Sequence, residues 1–296
     1  MGEPAILTLT VDELTLSALA DGPENAPLVI LVHGFPDTPH GWDAVAQGLV
    51  DQGYRVLRPW LRGYTPDSAL RSANFDAYSA GMDLLAWKQH LDAKAVHLVG
   101  HDWGAVASMV AAVQSPDDIQ SLTLLSIPPF QKFWRAWRLW PKQLRLSSYM
   151  LAMQSGHAPT RITRHDWAGL KTLWARWSPN WPFSTAFEPV KKAFANMDVA
   201  WAATRYYRSL FMLHKASTRK LYQIATQPIW VPTLFLVGEN DGCMQAGLFE
   251  TLVEPKCFPM GVELSTLPNC GHFLHIEQPQ AVLKELVAHL EDNVAL

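Results

Sequence analysis

The stretch VGHDWGA, residues 99–105, decides how this chain is predicted to fold. The apolar run AVHLVG (95–100) leads into it and the apolar run WGAVASMVAAVQS (103–115) continues it, which predicts a buried strand, a tight turn and a helix. Its two glycines allow a sharp, closely packed turn, as in a nucleophile elbow of the pattern G-x-D-x-G. The turn would hold Asp102 above the strand at a helix N-terminus, where an ionised carboxylate is stabilised.

Strand and helix patterns alternate on both sides of this stretch. Strands are predicted in APLVILVHG, YRVLRPW, SLTLLSIPP, VPTLFLVGEND and GVELSTLPNCGH, at residues 26–34, 54–60, 121–129, 231–241 and 261–272. Helices are predicted at residues 41–52, 75–91 and 279–292, and a hairpin at residues 7–22. Such alternation requires crossover connections, and it predicts an α/β fold with a mostly parallel central sheet flanked by helices.

The alternation stops in the middle of the chain. Between residues 130 and 227 the sequence has helix-like segments crowded with tryptophan and no pattern typical of a buried strand. We therefore predict a core domain formed by residues 1–129 and 228–296. A helical cap, or lid, would be inserted at residues 130–227.

Composition and charge exclude several classes of protein. Lys and Arg total 24 against 27 Asp and Glu, a net charge of −3, so no positive field favours nucleic acid. The N-terminus lacks a signal-peptide pattern and the three cysteines lack metal-type spacing, which predicts a reduced, cytoplasmic protein. With neither a ligand cluster nor a glycine-rich phosphate loop, we expect no metal and no organic cofactor.

The sequence leaves the oligomeric state open and is compatible with a homodimer.

The segment QKFWRAWRLWPKQLRLSS (131–148) is compatible with a different class of protein. It contains five basic residues, no acidic residue and three tryptophans, a composition suited to a lipid surface. Pro141 interrupts any long helix there, so we expect cap surface rather than membrane contact. A membrane-associated or non-catalytic binding protein is kept as an alternative to an enzyme.

Three residues are candidates for a catalytic triad. Asp102 lies at the elbow, Asp241 follows the strand pattern TLFLVGEN, and His272 follows VELSTLPNCG, in the chain order nucleophile, acid, base. An ionised Asp can attack a saturated, electrophilic carbon and form an ester, which His272 would hydrolyse by activating water while Asp241 orients the imidazole. Two alternatives stay open: Asp102 could be only a helix cap, and His275 could be the base.

Hydrolysis of such an ester also needs donors for the developing oxyanion. One candidate is the backbone N–H that follows the nucleophile, on Trp103. Another is the N–H of Phe35, in the loop HGFPD (33–37) after an early strand. Pro36 has no N–H group and restricts the backbone that carries the Phe35 amide. We therefore expect Phe35 and Trp103 to form the oxyanion hole.

Four motifs together resemble those of the α/β-hydrolase superfamily and, within it, the epoxide hydrolase branch. They are HGFPD (33–37), GHDWGA (100–105), GEND (238–241) and GHFLHIEQP (271–279). The resemblance extends over nearly the whole chain. It implies an α/β-hydrolase fold with an inserted helical cap, and an Asp as the nucleophile.

The resemblance assigns a role to two tyrosines of the predicted cap. In the family, one cap tyrosine belongs to a Y-x-x-x-x-Q pattern and the other precedes an arginine; here these are Tyr149, in YMLAMQ, and Tyr207, in RYYRS. A phenol stays protonated at neutral pH and can donate to an epoxide oxygen as that oxygen becomes an alkoxide. Together with Phe35, Pro36 and Trp103, the two tyrosines are expected to bind substrate.

The resemblance implies an epoxide hydrolase that opens a small apolar epoxide to a vicinal diol through an Asp102 ester, with water as the second substrate. A haloalkane or haloacid dehalogenase is the alternative, because these enzymes share the Asp nucleophile and Trp103 resembles their halide-binding donor. Their second halide donor is often an asparagine at the position where this chain has Phe35. A phenylalanine side chain cannot donate a hydrogen bond, which favours the epoxide hydrolase.

Overall fold

An eight-stranded sheet forms the centre of the computed structural model, which describes residues 3–129, 140–179 and 181–293. Its strands are β1 Ala5–Val11, β2 Leu14–Asp21, β3 Leu28–Val32, β4 Arg55–Pro59, β5 Val96–His101, β6 Ile119–Leu125, β7 Thr233–Gly238 and β8 Val262–Leu267. Their order across the sheet is β1-β2-β4-β3-β5-β6-β7-β8. β2 runs antiparallel to both of its neighbours, and the other adjacent pairs are parallel. The predicted α/β class is confirmed.

Helices cover both faces of this sheet. Within the described residues the α-helices are α1 Asp43–Asp51, α2 Ala77–His90, α3 Trp103–Gln114, α4 Pro141–Leu146, α5 Tyr149–Met153, α6 Ala158–Trp177, α7 Glu188–Phe194, α8 Met197–Ser209, α9 Ala216–Ile224, α10 Ala246–Leu252, α11 Leu274–Glu277 and α12 Pro279–Glu291. α1 and α12 pack on the face that contains Val29 and Leu31, whereas α2 and α3 pack on the opposite face, with Ile30. Central strands buried on both sides account for the continuous apolar runs in the sequence.

Helices α4 to α9 lie between β6 and β7 in the chain, in residues 140–179 and 181–227, which we call the cap segment. The described part of this segment contains helices and no strand, whereas the exact domain boundaries stay a prediction. The first half of the basic, tryptophan-rich stretch, residues 131–139, lies outside the described residues. Every helix within the described ranges is too short or too polar to span a bilayer.

The elbow between β5 and α3 has the sharp geometry that its sequence predicts. Asp102 adopts a φ of 51° and a ψ of −119°, a strained conformation for a residue with a side chain. A Cβ atom on Gly100 would lie 2.4 Å from the carbonyl oxygen of Gly104, and a Cβ atom on Gly104 would lie 2.3 Å from that of Val32. The close approach of these backbones therefore requires glycine on both sides of Asp102.

Candidate active site

The predicted triad and the Phe35 loop gather at one edge of the sheet. Asp102 directly follows β5, while Phe35, Asp241 and His272 lie in the loops that follow β3, β7 and β8. Because the carboxyl ends of parallel strands meet at the same edge, residues from distant parts of the chain become neighbours there. All four residues are at most 6% exposed.

His272 lies between the two aspartates. Its Nδ1 is 2.9 Å from Oδ2 of Asp241, and its Nε2 is 3.8 Å from Oδ2 of Asp102. Oδ1 of Asp241 accepts hydrogen bonds from the backbone N–H groups of Cys243 and Met244, at 2.7 and 2.9 Å. Asp241 is thus fixed in place. Its Oδ2 accepts a hydrogen bond from the Nδ1–H group of His272, which directs Nε2 toward Asp102.

The two carboxylates also control the protonation of His272. Burial opposes a positive charge on the imidazole, but the charges of Asp241 and Asp102, and hydrogen bonding to them, outweigh burial and raise the pKa of His272 from 6.5 to about 10. At neutral pH the free site therefore holds an imidazolium between two aspartates. Removal of one of these negative charges lowers the pKa of His272 and favours its neutral form, which can act as a base.

The carboxylate of Asp102 is held by the loop after β3. The backbone N–H of Phe35 donates to Oδ1 of Asp102 at 2.8 Å, whereas Oδ2 faces His272. Asp102 occupies the N-cap position of α3, but its side chain makes no capping hydrogen bond, so helix capping does not account for it. Trp103 is the first residue of α3, where a backbone N–H has no partner within the helix.

A small apolar cavity lies above Asp102. Its volume is about 30 Å³, and it is lined by Asp102, Trp103, Val106, Ile127, Tyr149, Met150, Tyr207, Leu210 and Met244. Such a volume holds roughly one or two water molecules. Both predicted tyrosines therefore share a cavity with the predicted nucleophile, and a larger molecule requires movement of flexible side chains such as Met150 and Met244.

The two tyrosine hydroxyls have different surroundings. That of Tyr207 interacts with the Tyr149 side chain but makes no hydrogen bond of standard geometry with any described residue. That of Tyr149 lies 3.7 Å from the Sγ atom of Cys243. Burial raises the pKa of both phenols and of the Cys243 thiol well above their usual values, so all three groups stay protonated.

The side chains of Phe35 and Pro36 do not line this cavity. The Phe35 ring packs edge-on against Tyr207, with ring centroids 5.2 Å apart. The carbonyl oxygen of Pro36 accepts a hydrogen bond from the indole of Trp174 at 2.9 Å. Direct contact of these two side chains with substrate remains a prediction from the sequence.

His275 has a different partner from His272. It lies in α11, and its Nε2 is 3.0 Å from Oδ2 of Asp37. Its ring packs on Trp42 and His101, with centroids 4.2 and 4.5 Å apart. Asp241 therefore orients His272, not His275, toward Asp102.

Known proteins share this arrangement of strands and loops. A family model described as alpha/beta hydrolase fold matches residues 27–279. The chain belongs to the α/β-hydrolase family. Its relatives include AB hydrolase superfamily protein YfhM of Bacillus subtilis, 28% identical over 95% of this chain and 96% of the relative, and epoxide hydrolase 3 of Xenopus tropicalis, 25% identical over 93% and 74%. A crystal structure of a proposed epoxide hydrolase from Klebsiella pneumoniae, 26% identical, has a TM-score of 0.84 and 96% coverage of both chains.

This α/β-hydrolase holds His272 in place with residues that the sequence analysis missed. Ser178, at the end of α6, accepts hydrogen bonds from the N–H groups of His272 and Phe273, at 3.0 and 3.3 Å. It donates to Glu277 at 2.6 Å, and Glu277 accepts from the N–H of Gly271 at 2.9 Å. Ser178 and Glu277 therefore fix the backbone on both sides of His272.

Trp177, which precedes Ser178, connects the cap segment to the loop of Asp241 and to the loop of His272. Its carbonyl oxygen accepts from the N–H of Gly242 at 2.9 Å and from the N–H of His272 at 3.1 Å. The end of α6 thus fixes the loops of Asp241 and His272 relative to each other. Glu277 lies in the motif GHFLHIEQP, whereas no local pattern in the sequence marks Ser178 or Trp177.

Proposed function

We propose that this α/β-hydrolase is an epoxide hydrolase, which converts a small apolar epoxide and water to a vicinal diol through an ester of Asp102. The observation that carries the proposal is that Tyr207 and Tyr149 line the same apolar cavity as Asp102, and that the buried Tyr207 hydroxyl makes no hydrogen bond of standard geometry with any described residue. Epoxide opening requires a donor near the nucleophile, because the ring oxygen leaves as an alkoxide. Relatives named epoxide hydrolase support the same activity.

In the first step, Asp102 attacks a ring carbon of the epoxide. Because Oδ1 is held by the N–H of Phe35, Oδ2 is the attacking atom. The bond between that carbon and the ring oxygen breaks, and the oxygen takes one proton from Tyr207 or Tyr149 while the other tyrosine donates a hydrogen bond to it. The Cys243 thiol can donate to the oxygen of Tyr149, which leaves the Tyr149 hydrogen for the substrate. The product of this step is a hydroxyalkyl ester of Asp102.

Ester formation changes the role of His272. It removes the negative charge of Asp102, one of the two charges that raise the pKa of His272. His272 can then release its proton, which replaces the one given up by the tyrosines, and its Nε2 can accept a proton from the attacking water. Asp241 stabilises the imidazolium that forms, the amides of Phe35 and Trp103 stabilise the oxyanion, and the diol leaves.

A haloalkane or haloacid dehalogenase is the second candidate. The indole Nε1 of Trp103 is buried, and it has no hydrogen-bond partner among the described residues, so it could stabilise a departing halide. A halide leaves as a stable anion, so this reaction would use Asp102 and His272 without a proton from Tyr149 or Tyr207. The two functions therefore differ in the donors that they need.

A substrate panel separates the two functions. The purified protein is incubated with styrene oxide, 1,2-epoxyhexane, 1-bromobutane and chloroacetate, and the diol and halide released are measured. The proposal expects diol release from the epoxides to be much faster than any halide release. Halide release alone would assign the protein to the dehalogenases. No turnover of either class would support a binding protein and contradict the proposal.

Loss of the Ser178 hydroxyl is expected to slow ester hydrolysis more than ester formation. Ser178→Ala removes an acceptor from the N–H of His272 and a donor to Glu277, so the imidazole is less well placed against the ester. We expect turnover to fall by roughly tenfold, as for other residues that orient a functional group through a hydrogen bond. Quenched-flow mass spectrometry would show a larger steady-state fraction of alkylated enzyme.

Ser148→Ala is the matched control for this change. Ser148 is an exposed serine of the cap segment whose hydroxyl donates to the carbonyl oxygen of Arg145, within its own turn. Its loss should leave the steady-state fraction of ester unchanged. If Ser178→Ala lowered activity without raising that fraction, its effect would be general destabilisation and the positioning role would be wrong.

A further inference from the structure

We propose that Gln143, a glutamine of the cap segment, is a positioning residue for Asp241 and, through Asp241, for His272. Gln143 is the third residue of α4, and it is fully buried, with 0% of its surface exposed. A buried side-chain amide is costly unless its polar atoms are hydrogen-bonded, so its partners show what it holds in place. The contacts of Gln143 do not depend on the proposed function, whereas their effect on turnover rests on it.

The amide of Gln143 uses both its nitrogen and its oxygen. Nε2 donates to the carbonyl oxygen of Cys243 at 2.7 Å and to Oγ of Ser147 at 3.0 Å. Oε1 accepts a hydrogen bond from the backbone N–H of Gln245 at 3.3 Å. Together these bonds hold the amide in one orientation, because rotation would leave buried donors without acceptors. Gln143 thus joins the cap segment to the loop that follows Asp241.

One peptide group transmits this contact to Asp241. The carbonyl oxygen of Cys243, which accepts from Gln143, and the N–H of Met244 belong to the same planar peptide group. That N–H donates to Oδ1 of Asp241 at 2.9 Å, and Oδ2 of Asp241 accepts from Nδ1–H of His272 at 2.9 Å. The amide of Gln143 therefore begins a continuous chain of three hydrogen bonds that ends on the imidazole.

Two physical effects give this chain an influence on the carboxylate. A peptide group is rigid, so an anchor on its oxygen also fixes the direction in which its N–H points. In addition, hydrogen bonds in a chain polarise one another in a low-dielectric interior, so an amide whose oxygen accepts a bond is a stronger donor. Gln143 therefore both aims and strengthens the hydrogen bond that the Met244 amide donates to Asp241.

A second residue of the cap segment anchors the same loop. The carbonyl oxygen of Trp177, in α6, accepts a hydrogen bond from the N–H of Gly242 at 2.9 Å. Gln143, in α4, holds the two peptide groups on either side of Met244. Two separate helices of the cap segment thus fix the loop, and the position of Asp241 depends on how both of them pack on the core.

The role of Asp241 places the effect of Gln143 mainly in the second step of the proposed reaction. In the first step Asp102 attacks as a carboxylate that is already ionised, so it needs no base. In the second step His272 must take a proton from water, while Asp241 orients the imidazole and stabilises the imidazolium. A less firmly held Asp241 should therefore slow ester hydrolysis more than ester formation.

Proton NMR of the free protein tests the chain without substrate. The Nδ1 proton of His272 lies in a buried, charge-assisted hydrogen bond and should give a far-downfield signal, which His272→Gln identifies by its absence. Gln143→Met keeps the length of the side chain but removes the amide, so we expect this signal to move upfield. Ser147→Ala is the matched control, because it removes the other acceptor of the same Nε2 group and leaves the chain intact. The signal of this control should not move.

Step-resolved kinetics test the consequence for the reaction. With styrene oxide, we expect Gln143→Met to slow decay of the Asp102 ester by roughly five- to tenfold, the effect of about one hydrogen bond, and to raise the steady-state fraction of ester. Ser147→Ala should change neither quantity. In a protein that carries Asp241→Asn, the same replacement of Gln143 should have little further effect, because it acts through that carboxylate.

Thermal unfolding verifies that each variant is folded. If Gln143→Met does not fold, Gln143→Asn replaces it, since its amide ends one bond earlier and cannot reach Cys243. The proposal is wrong if the wild-type protein has no downfield signal, if the signal or the ester decay is unchanged without the Gln143 amide, or if Ser147→Ala has the same effects. It is also wrong if replacement of Gln143 has its full effect in the protein with Asp241→Asn.

The same preparations separate this proposal from the proposed function. An upfield shift in Gln143→Met together with no epoxide turnover by the wild-type protein would reject the epoxide hydrolase and keep Gln143 as the residue that positions Asp241. Epoxide turnover that proceeds equally well in wild type and Gln143→Met would keep the epoxide hydrolase and reject the role of Gln143.

Discussion

A protein in which Tyr149 and Tyr207 are both replaced by phenylalanine is expected to lose epoxide opening. The two changes remove only two oxygen atoms and leave the aromatic packing of the cavity in place. Without a proton donor, the ring oxygen must leave as a free alkoxide in an apolar, nearly dry cavity. Since a positioned acid contributes roughly 10²- to 10⁴-fold, we expect kcat/KM for styrene oxide to fall by at least about 10³-fold. Diol formation measures the loss.

Tyr206→Phe is the control for these changes. Tyr206 is as buried as its neighbour Tyr207, but its hydroxyl donates to the carbonyl oxygen of Arg62 at 3.0 Å. Its loss should reduce the free energy of unfolding by about 1 kcal/mol and leave epoxide turnover intact. Full activity in the protein that lacks the Tyr149 and Tyr207 hydroxyls would reject both tyrosine roles.

Replacement of His272 by glutamine is expected to trap the covalent intermediate. Glutamine retains hydrogen-bonding atoms near Asp241 but cannot take a proton from water, so the ester of Asp102 forms and is not hydrolysed. Multiple turnover should fall by roughly 10⁴-fold or more, as for other essential catalytic groups. Intact-protein mass spectrometry should show close to one equivalent of added epoxide, and peptide mapping should place it on Asp102.

His97→Gln provides the comparison for this experiment. His97 is also buried, but it lies within β5 and its Nδ1 is 2.8 Å from the hydroxyl of Ser121. This variant should turn over epoxide and carry no adduct. Loss of activity in His272→Gln without any adduct on Asp102 would contradict the two-step mechanism, because it would place His272 in the first step.

The positions of the triad could be predicted because they depend on local patterns. Asp102, Asp241 and His272 each follow an apolar run that forms a strand, and parallel strands bring their carboxyl ends to one edge. The fold class and the family resemblance were predicted from the same runs and motifs, and both are confirmed. The roles of the three residues stay predictions that the experiments above test.

The residues that hold His272 in place, Ser178 and Glu277, could not be predicted from the sequence, because their contacts depend on how the cap segment packs on the core. Ser178 is 94 residues from His272 and 99 residues from Glu277 along the chain, and its contacts depend on where α6 ends. The contact between Cys243 and Tyr149 results from the same packing. Hydrophobic periodicity identifies a helix and its buried face, but not which distant loop its end meets.

A single turnover in heavy-oxygen water tests the central claim most directly. If Oδ2 of Asp102 bonds to the substrate carbon and water then attacks the ester carbonyl, the diol receives its new oxygen from Asp102 and the labelled oxygen enters the enzyme. With enzyme in excess over epoxide, we therefore predict an unlabelled diol and a heavier peptide containing Asp102. A labelled diol with an unlabelled peptide would show direct attack of water on the epoxide and would contradict the account.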